Sequence, residues 1–443
     1  MTGSISASPC HGKRRTKIVC TLGPAVDSLE AIERLIRCGM DVARLNFSHG
    51  NAEDQRQRLE WVREASKRLG REVAIMQDLC GPKIRLGDLA DGVAVTAGQT
   101  VIFDATLTAV VGDRIPLPVP ELVMVLKVGN RLMIDDGNLE FTVTAVGGTW
   151  VSTVASTDGL LKSRKGVSAP GVRIDVPSLS ETDIEDARFG LSIGVDAIAM
   201  SFVRDPADIY TLRTLTANKV PLIAKIEMAE AVEKLAEIVK VSDGIMVARG
   251  DLGVEMPFEQ LAVVQKEIIS ACNRAGKPVI TATQMLDSMI ERPRPTRAEV
   301  TDIANAVLDG TDALMLSGET SVGAFPFAAV ETMAKVAVAT ESRFDYDAAL
   351  VLAHQRYGKA SLTDAVSDAA TSIAEDMGAV AILCGTSTGS TARAVAKFRP
   401  RAKVVALTER RSTARFRACV RGVETILVEP VDSTDNLLRQ AAE

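Results

Sequence analysis

Polar side chains alternate along one short apolar stretch near the start of the chain. Arg44, Asn46 and Ser48 stand at positions i, i+2 and i+4, and in an extended strand this spacing puts them on one face. The inward positions of a closed barrel are usually Val, Ile or Leu, so three polar groups there would converge at its mouth. The alternative, an arginine turned outward into a layer of helices, would leave a buried charge without a partner. The spacing favours a binding or catalytic site.

A lysine and two carboxylates mark two further stretches. Lys225 and Glu227 are again spaced i, i+2, and Asp251 follows the next apolar run. If these runs are neighbouring parallel strands, both carboxylates lie at one edge, where with water and a substrate oxygen they would hold a hard cation such as Mg²⁺. A cation beside the ammonium of Lys225 would suit an anionic substrate, above all a phosphate. A simple ion pair across one strand face is the alternative.

Three other positions carry weaker signals. Thr283 ends a later apolar run with a hydroxyl, but threonine is common in strands anyway. Asp78 and Arg85 flank a Gly-Pro-Lys segment after the third run. The chain has no G-x-x-x-x-G-K-[ST] loop, which excludes a Walker-type nucleotide site. Its three histidines are too few and too dispersed to form a metal triad.

A Gly/Ser/Thr-rich loop follows an apolar run late in the chain, at residues 385–391. A strand, such a loop and a helix start together form a cradle of backbone N–H groups and hydroxyls that suits an anion. A well-capped helix without a ligand is the alternative.

The hydrophobic pattern predicts a scaffold that brings these residues together. From residue 16, short apolar runs alternate with stretches of helical periodicity. Eight such strand–helix units predict an α/β fold, a parallel (β/α)₈ TIM barrel, and a doubly wound open sheet is the competing layout. The predicted strands are residues 17–21, 41–47, 73–78, 196–202, 221–226, 244–248, 278–283 and 312–316.

The rhythm breaks in places that divide the chain into domains. Residues 1–15 suggest a flexible tail, and residues 16–86 with 172–340 form the predicted barrel. Residues 87–171 show short alternating runs among Pro, Gly and Asp clusters, which predicts an inserted small β-barrel lid domain, with a decorative insertion as the alternative. Residues 341–443 predict a C-terminal α/β domain, with a last helix beginning at Asp432 or Ser433.

Composition excludes several classes of protein. The 443 residues include 51 Lys and Arg against 57 Asp and Glu, a net charge of −6, which argues against a nucleic-acid partner. No stretch of about 18 uncharged apolar residues and no apolar leader occurs, so neither a membrane span nor a secretory signal is expected. Seven scattered cysteines without a C-x-x-C pair indicate a reduced, cytoplasmic protein.

Several strings of the sequence resemble the signatures of the pyruvate kinase family, in family order across nearly the whole chain. The family fold is a barrel with a β lid and a C-terminal α/β domain, which agrees with the pattern above. The strings are TKIVCTLGP at 16–24, RLNFSHG at 44–50, IAKIE at 223–227, MVARGDLGVE at 246–255, TATQM at 281–285 and PTRAE at 295–299.

The resemblance implies a phosphotransferase that moves the phosphoryl group of phosphoenolpyruvate to ADP, giving pyruvate and ATP in the last step of glycolysis. By the same resemblance, Arg44 and Lys225 hold the transferring group, and Glu227 and Asp251 bind Mg²⁺ (or Mn²⁺). Backbone amides at Gly250 and Asp251 receive the substrate carboxylate. Lys225 would stabilise the charge of the phosphoryl group during transfer, and one well-placed group can increase the rate by about 10²–10³.

The resemblance also implies the protonation and nucleotide sites. Thr283 stands where the enolpyruvate is protonated, through ordered water. Lid closure would bring in Lys165, which lies where the chain returns from the lid. The residues implied at the nucleotide are Thr21, Pro24, Asn46, His49, Arg85 and Lys165.

One departure from the family concerns K⁺. Members that need K⁺ bind it at positions matching Asn46, Ser48, Asp78 and the backbone of Leu79, and they carry Glu where this chain has Lys83. They also carry Thr at the position of Leu79. Here the string resembles the K⁺-independent branch, in which a tethered ammonium supplies the unit charge. The resemblance therefore predicts activity without added K⁺.

A second departure concerns the C-terminal domain. Family members usually continue for several tens of residues beyond Glu443, so an incomplete domain is expected. The loop implied to hold the phosphate of a sugar-phosphate or nucleotide effector is present, but its second half is not. A homo-oligomer is expected, a tetramer if this domain is complete. The loop residues are Thr386, Ser387, Thr388, Gly389, Ser390 and Thr391.

Two other functions remain open at this point. A metal-dependent carbon–carbon lyase acting on pyruvate-type substrates would use the same barrel and carboxylates, but it would not need the lid or Lys165. A non-catalytic binding protein would bind ligands without turnover.

Overall fold

The computed structural model describes residues 14–357 and 361–430, together with residues 436 and 439. Eight parallel strands, here called barrel strands 1 to 8, close into a barrel in chain order. The last strand pairs with the first, Lys17 opposite Ala313, which confirms the predicted barrel and excludes the open sheet. The strands are Lys17–Thr21, Val42–Asn46, Ala74–Asp78, Ala197–Met200, Leu222–Ile226, Gly244–Ala248, Val279–Ala282 and Ala313–Leu316.

Helices cover the outside of the barrel. Four of them begin at reciprocal side-chain caps, on Asn51, Ser180, Asp205 and Thr296, which satisfy the free N–H groups of the first turn. Short helices Ala229–Glu233, Arg249–Glu255 and Gly318–Ser321 follow barrel strands 5, 6 and 8 and shape the mouth. The outer helices are Leu29–Cys38, Ala52–Leu69, Glu181–Ile193, Pro206–Leu215, Leu235–Val241, Leu261–Ala275, Arg297–Asp309 and Pro326–Glu341.

A lid domain with its own apolar core interrupts the barrel after strand 3. Phe103 and Phe141 pack edge to face at its centre, with ring centroids 5.3 Å apart. A six-stranded and a two-stranded sheet carry it, with one helix, Pro120–Val125, that the sequence analysis did not predict. The strands are Val93–Val95, Thr100–Asp104, Arg114–Pro116, Arg131–Ile134, Leu139–Val146, Trp150–Ala155, Gly159–Leu161 and Val167–Ser168.

The C-terminal domain is built on three parallel strands in chain order, which confirms the predicted α/β domain. Helix Tyr346–Tyr357, which the sequence analysis missed, precedes it. The predicted helix start at Asp432 or Ser433 lies outside the described residues. The strands are Ala381–Gly385, Lys403–Thr408 and Val423–Leu427, and the helices are Leu362–Asp376, Ser390–Ala396 and Arg411–Arg417.

This domain closes the bottom of the barrel. Phe416 and Cys419, 3% and 1% exposed, join the cluster of apolar side chains that fills the barrel interior. Helix Arg411–Arg417 therefore packs against the ends of the strands opposite the mouth. None of the helices that the structure describes is both long enough and apolar enough to cross a bilayer.

The last two residues of the predicted tail belong to the folded barrel. Residues 1–13 lie outside the described part of the chain, but Arg14 and Arg15 are anchored to the barrel. The Arg14 guanidinium pairs with Asp41 at 2.8 Å, and the backbone N–H of Arg15 donates to Glu341 at 2.8 Å. Ion pairs and hydrogen bonds with residues far along the chain fix these two positions, which local composition could not indicate.

Candidate active site

Lys225 lies at the centre of a polar cluster at the end of barrel strand 5. Its ammonium is 2.8 Å from Glu227 Oε1 and 3.1 Å from Asp78 Oδ1, and it donates to Ser201 Oγ at 2.6 Å. Burial alone would lower the pKa of Lys225, but the two carboxylates outweigh burial and raise it. The side chain therefore keeps its positive charge at neutral pH, at the mouth of the barrel.

Arg44 joins this cluster from barrel strand 2. Its Nε donates to Asp78 Oδ2 at 2.6 Å, and its Nη1 donates to Thr21 Oγ1 at 2.9 Å. The buried carboxyl of Asp78 would have a raised pKa by burial alone, but Lys225 and Arg44 lower it. One buried carboxylate thus holds two cations side by side, which is an arrangement suited to a substrate carrying several negative charges.

Glu227 and Asp251 supply the two predicted carboxylates. Glu227 Oε2 accepts the backbone N–H of Phe202 at 2.7 Å, and Asp251 lies in the first turn of helix Arg249–Glu255. Burial raises the pKa of Glu227, Lys225 opposes this, and the negative charge of Asp251 raises it further. A carboxyl whose ionisation is disfavoured by a neighbouring carboxylate fits a divalent-cation site, because the charge of the cation would relieve the repulsion.

A third acidic or histidine ligand is not part of this arrangement. Among the described residues, no group of three or more His, Cys, Asp or Glu side chains is placed to hold a metal ion. Water and substrate oxygens would have to complete an octahedral shell, as is usual where Mg²⁺ binds beside a phosphate.

Thr283 is tied directly to the start of the helix that carries Asp251. Its hydroxyl accepts the N–H of Gly250 at 2.8 Å and donates to the carbonyl of Ala282 at 2.6 Å. Thr283 and Gln284 have φ of 69° and 53°, a left-handed conformation that is strained for residues other than glycine. Phe202, at the end of barrel strand 4, has φ of 53°. Strain of this kind collects at functional sites.

The predicted nucleotide residues lie in different surroundings. Thr21 is buried beneath Arg44 and donates to the carbonyl of Leu316 at 2.9 Å, so its side chain supports the cluster. Lys165 pairs with Asp135 of the lid at 2.6 Å, and Arg85 donates to the carbonyl of Arg164 at 3.0 Å. Their role at a nucleotide stays a prediction, as do those of the exposed residues Pro24 and His49.

The proposed monovalent-cation positions are only partly assembled as expected. Barrel strand 2 ends at Asn46, so the prediction that Ser48 lies on the same strand face as Arg44 and Asn46 was wrong. Ser48 is exposed in the turn that follows, and its N–H donates to Asn46 Oδ1 at 3.2 Å. The Leu79 carbonyl accepts Ser201 Oγ at 2.7 Å. Lys83 is exposed and pairs with no carboxylate in the part of the chain that the structure describes.

A cleft separates the lid from the barrel mouth. Lys83 and Asp251 line it from the barrel, and Ser168 from the lid. The two lid linkers pair at its base, since the N–H of Leu86 donates to Lys165 and that of Val167 to Ile84, both at 2.9 Å. The lid is therefore joined to the barrel by a paired ribbon beside the cleft that Asp251 lines.

The predicted effector loop is well ordered by its own contacts. The N–H of Gly389 donates to Thr386 Oγ1 at 2.8 Å, and Thr413 Oγ1 donates to the Ser387 carbonyl at 2.7 Å. Arg417, 2% exposed, lies beneath Gly389, and its Nε has no hydrogen-bond partner among the residues that the structure describes. The loop's role in binding an effector stays a prediction, as does that of Thr388, Ser390 and Thr391.

Sequence reasoning missed four residues that support the site. Ser201 bridges Lys225 and Leu79. Asp183 accepts the N–H of Gly81, in the loop after barrel strand 3, at 2.9 Å. The side chains of Arg249 and Glu319 hold backbone groups at the ends of barrel strands 7 and 8. A polar residue at a strand end was a signal for Ser201, but it does not distinguish Ser201 from other polar residues at strand ends. All four residues act through contacts with residues distant in sequence.

Comparison with known proteins identifies the relatives of this chain. The family model described as the pyruvate kinase barrel domain matches residues 13–330, and that of the pyruvate kinase alpha/beta domain matches residues 364–443. A pyruvate kinase of Staphylococcus saprophyticus is 43% identical over 436 residues, covering 97% of this chain and 74% of the relative. The enzyme of Staphylococcus aureus is also 43% identical, over 434 residues with the same coverage.

A solved structure shows the same architecture. The crystal structure of a pyruvate kinase from Cryptosporidium parvum has a TM-score of 0.93 and 39% sequence identity, and it covers 98% of this chain and 91% of that one.

Proposed function

Because this chain belongs to the pyruvate kinase family, we propose that it transfers the phosphoryl group of phosphoenolpyruvate to ADP with Mg²⁺ and without a requirement for K⁺. The observation that carries the proposal is the cluster in which Asp78 holds Arg44 and Lys225 side by side. Two fixed cations at the mouth of a barrel, next to two carboxylates, match the charge pattern of a phosphoryl transfer site.

The phosphoryl group would lie between Arg44 and Lys225. Its transfer spreads negative charge over the equatorial oxygens, so fixed positive charges stabilise the transition state more than the bound substrate. Asp78 keeps both side chains in place before substrate arrives, because it accepts Arg44 Nε at 2.6 Å and lies 3.1 Å from Lys225 Nζ. The site is therefore preorganised for transfer.

Glu227 and Asp251 would hold the divalent cation, and N–H groups at the start of helix Arg249–Glu255 would receive the substrate carboxylate. The cation, when bound, neutralises charge on the phosphate and carboxylate oxygens. Since Lys225 pairs with Glu227 at 2.8 Å, this side chain links the cation site to the phosphoryl site. The Thr283 hydroxyl lies at the same mouth and would orient the water that protonates the enolpyruvate.

Phosphorus NMR tests the transfer directly. With phosphoenolpyruvate, ADP and Mg²⁺, the phosphoenolpyruvate resonance should be replaced by the γ-phosphate resonance of ATP. Release of inorganic phosphate in its place would contradict the proposal, because hydrolysis needs no nucleotide acceptor.

Activity should be independent of K⁺, and Lys83 should be the reason. We expect Lys83→Glu to create a K⁺ requirement, because it removes the ammonium that we propose replaces the monovalent cation and adds a negative charge. The measurement is the rate of pyruvate formation in K⁺-free buffer with increasing KCl, at constant ionic strength set by a tetramethylammonium salt.

Lys127→Glu is the matched control, since Lys127 is an exposed lysine of the lid away from the site. Its rate should ignore K⁺. A wild-type enzyme that requires K⁺, or a Lys83→Glu variant that remains indifferent to it, would contradict the role given to Lys83.

We also propose that the chain forms a homo-oligomer through its C-terminal domain. Apolar side chains stand unpartnered along helix Leu362–Asp376, with Leu362 81% and Ile373 61% exposed, and Val380 beyond it is 86% exposed. Exposed apolar stripes of this kind are typical of subunit interfaces. A second copy of this chain is the occupant that the family's tetramers suggest.

Ile373→Glu should lower the molar mass in light scattering after size exclusion, because a charge in an apolar interface is costly. The control, Glu375→Gln, changes a neighbouring polar residue. An equal mass for both variants and the wild type would contradict this interface.

Two further parts of the proposal concern regulation and compartment. The loop Thr386–Thr391 would hold the phosphate of a sugar-phosphate or nucleotide effector, supported by its ordered hydroxyls and by Arg417 beneath it. A cytoplasmic location is supported by the cysteines that the structure describes, all of which are free thiols.

A further inference from the structure

The end of barrel strand 7 holds two consecutive residues in a backbone conformation that only glycine adopts freely. Thr283 has φ of 69° and Gln284 has φ of 53°. A β-branched residue is a rare occupant of this region. Such a turn persists only where contacts with the surrounding structure stabilise it. Here those contacts are made by backbone carbonyls at the end of the strand.

Arg249 makes those contacts. Its Nη2 donates to the carbonyl of Thr283 at 2.7 Å and lies 2.7 Å from Met285 Sδ, while Nε donates to the carbonyl of Ala282 at 3.3 Å. The side chain is only 10% exposed. Without it, buried carbonyls at the end of the strand would lose their donors, which destabilises the conformation that presents them.

The other edge of the guanidinium is fixed by two outer helices. Nη1 lies 2.7 Å from Asp302 Oδ2, on helix Arg297–Asp309, and donates to Gln265 Oε1 at 3.2 Å, on helix Leu261–Ala275. Arginine presents its donors in a rigid planar fork. Both edges of the guanidinium are engaged, so Arg249 links the two outer helices to the strained turn and fixes the turn relative to them.

Arg249 is also the first residue of the helix that carries Gly250 and Asp251. The N–H of Gly250 donates to the Thr283 hydroxyl at 2.8 Å. The turn and the helix start are thus joined twice, once through the Arg249 side chain and once through the Thr283 hydroxyl. Movement of the turn would displace both the hydroxyl and the proposed cation ligand.

We propose that Arg249 is a positioning residue for the reaction. It holds the strained Thr283–Gln284 turn in place. The Thr283 hydroxyl is thereby kept where it can orient the water that protonates the enolpyruvate. This inference rests on the proposed function, since it assigns Thr283 to that step. Arg249 itself need not touch the substrate, because its donors are used by protein groups.

The test compares Arg249→Met with Arg63→Met. Arg63 is a matched control, since it also pairs with an aspartate, Asp196 at 2.8 Å, and donates to a backbone carbonyl, Gly194 at 2.8 Å, away from the site. We expect Arg249→Met to lower kcat by about 10²-fold, since misplacement by about 1 Å has an effect of that size. The KM for phosphoenolpyruvate should change little, and Arg63→Met should leave kcat unchanged.

A second substitution separates positioning from general stability. Gln284→Gly, made in the Arg249→Met background, should recover kcat by about 10-fold, because glycine adopts positive φ without a steric penalty. A role limited to the ion pair with Asp302 would not be rescued in this way. If Arg249→Met does not fold, Arg249→Lys with and without Gln284→Gly gives the same comparison, since one ammonium cannot replace the fork.

The outcomes are distinct. A wild type without ADP-dependent turnover would count against the proposed function. A turning-over wild type with equal kcat for Arg249→Met and Arg63→Met, or a double variant in which glycine recovers nothing, would overturn the positioning role alone.

Discussion

Replacing Lys225 with methionine is expected to lower the rate of pyruvate formation by about 10³-fold. The reason is that the ammonium lies among Asp78, Glu227 and Ser201, at the point where negative charge would develop on the transferring phosphoryl group. Methionine keeps the length of the side chain and removes the charge. The measurement is the initial rate at saturating phosphoenolpyruvate, ADP and Mg²⁺.

The same substitution leaves the buried Glu227 without its cation and Asp78 with Arg44 alone, so stability needs its own control. Lys17→Met serves this purpose, because Lys17 is a barrel lysine at the opposite end of the strands and donates to the carbonyl of Val423 at 2.9 Å. We expect it to lower the thermal midpoint but keep the rate. A folded Lys225→Met enzyme with a rate within about 10-fold of wild type would contradict the assignment.

Replacing either proposed cation ligand is expected to raise the Mg²⁺ concentration needed for half-maximal rate by about 10- to 100-fold. Glu227→Gln and Asp251→Asn each remove one negative charge and keep the side chain's shape. Glu227→Gln also keeps an oxygen that can accept the N–H of Phe202, now at 2.7 Å. The measurement is a Mg²⁺ titration of the rate, with direct calorimetric titration of Mn²⁺ as a second readout.

Glu255→Gln is the matched control for this prediction. Glu255 is the last residue of the helix that carries Asp251, and it lines the same cleft. Burial raises the pKa of the Glu255 carboxyl to about 7. We expect Glu255→Gln to leave the half-saturating Mg²⁺ concentration near the wild-type value. An equal shift for Glu255→Gln and the two ligand variants would mean that the titration reports the charge of the cleft rather than a specific site.

The barrel could be predicted because its signal is local and repeated. Each apolar run is long enough for one strand, and the helices between the runs carry their own caps, such as Asn51 and Thr296. That Lys225 and Glu227 lie on one face of their strand followed from the same alternation. The position of Ser48 did not, because barrel strand 2 ends at Asn46 and the alternation stops there.

The supporting residues could not be predicted because their roles depend on contacts across the fold. Arg249 acts on carbonyls 33 and 34 positions later in the chain, and Ser201 joins barrel strands 3 and 5 through Leu79 and Lys225. Nothing in the neighbouring residues distinguishes them from ordinary polar residues at strand ends. Left-handed φ at Thr283 and Gln284 was likewise invisible, because no glycine marks the turn.

The central claim is most directly tested by pyruvate release from phosphoenolpyruvate, measured with purified protein and Mg²⁺ in the presence and absence of ADP. We predict release only with ADP, at the same rate with and without K⁺. Turnover of pyruvate or oxaloacetate without ADP would favour a lyase on the same scaffold. Ligand binding by folded protein with no release of pyruvate would contradict the account.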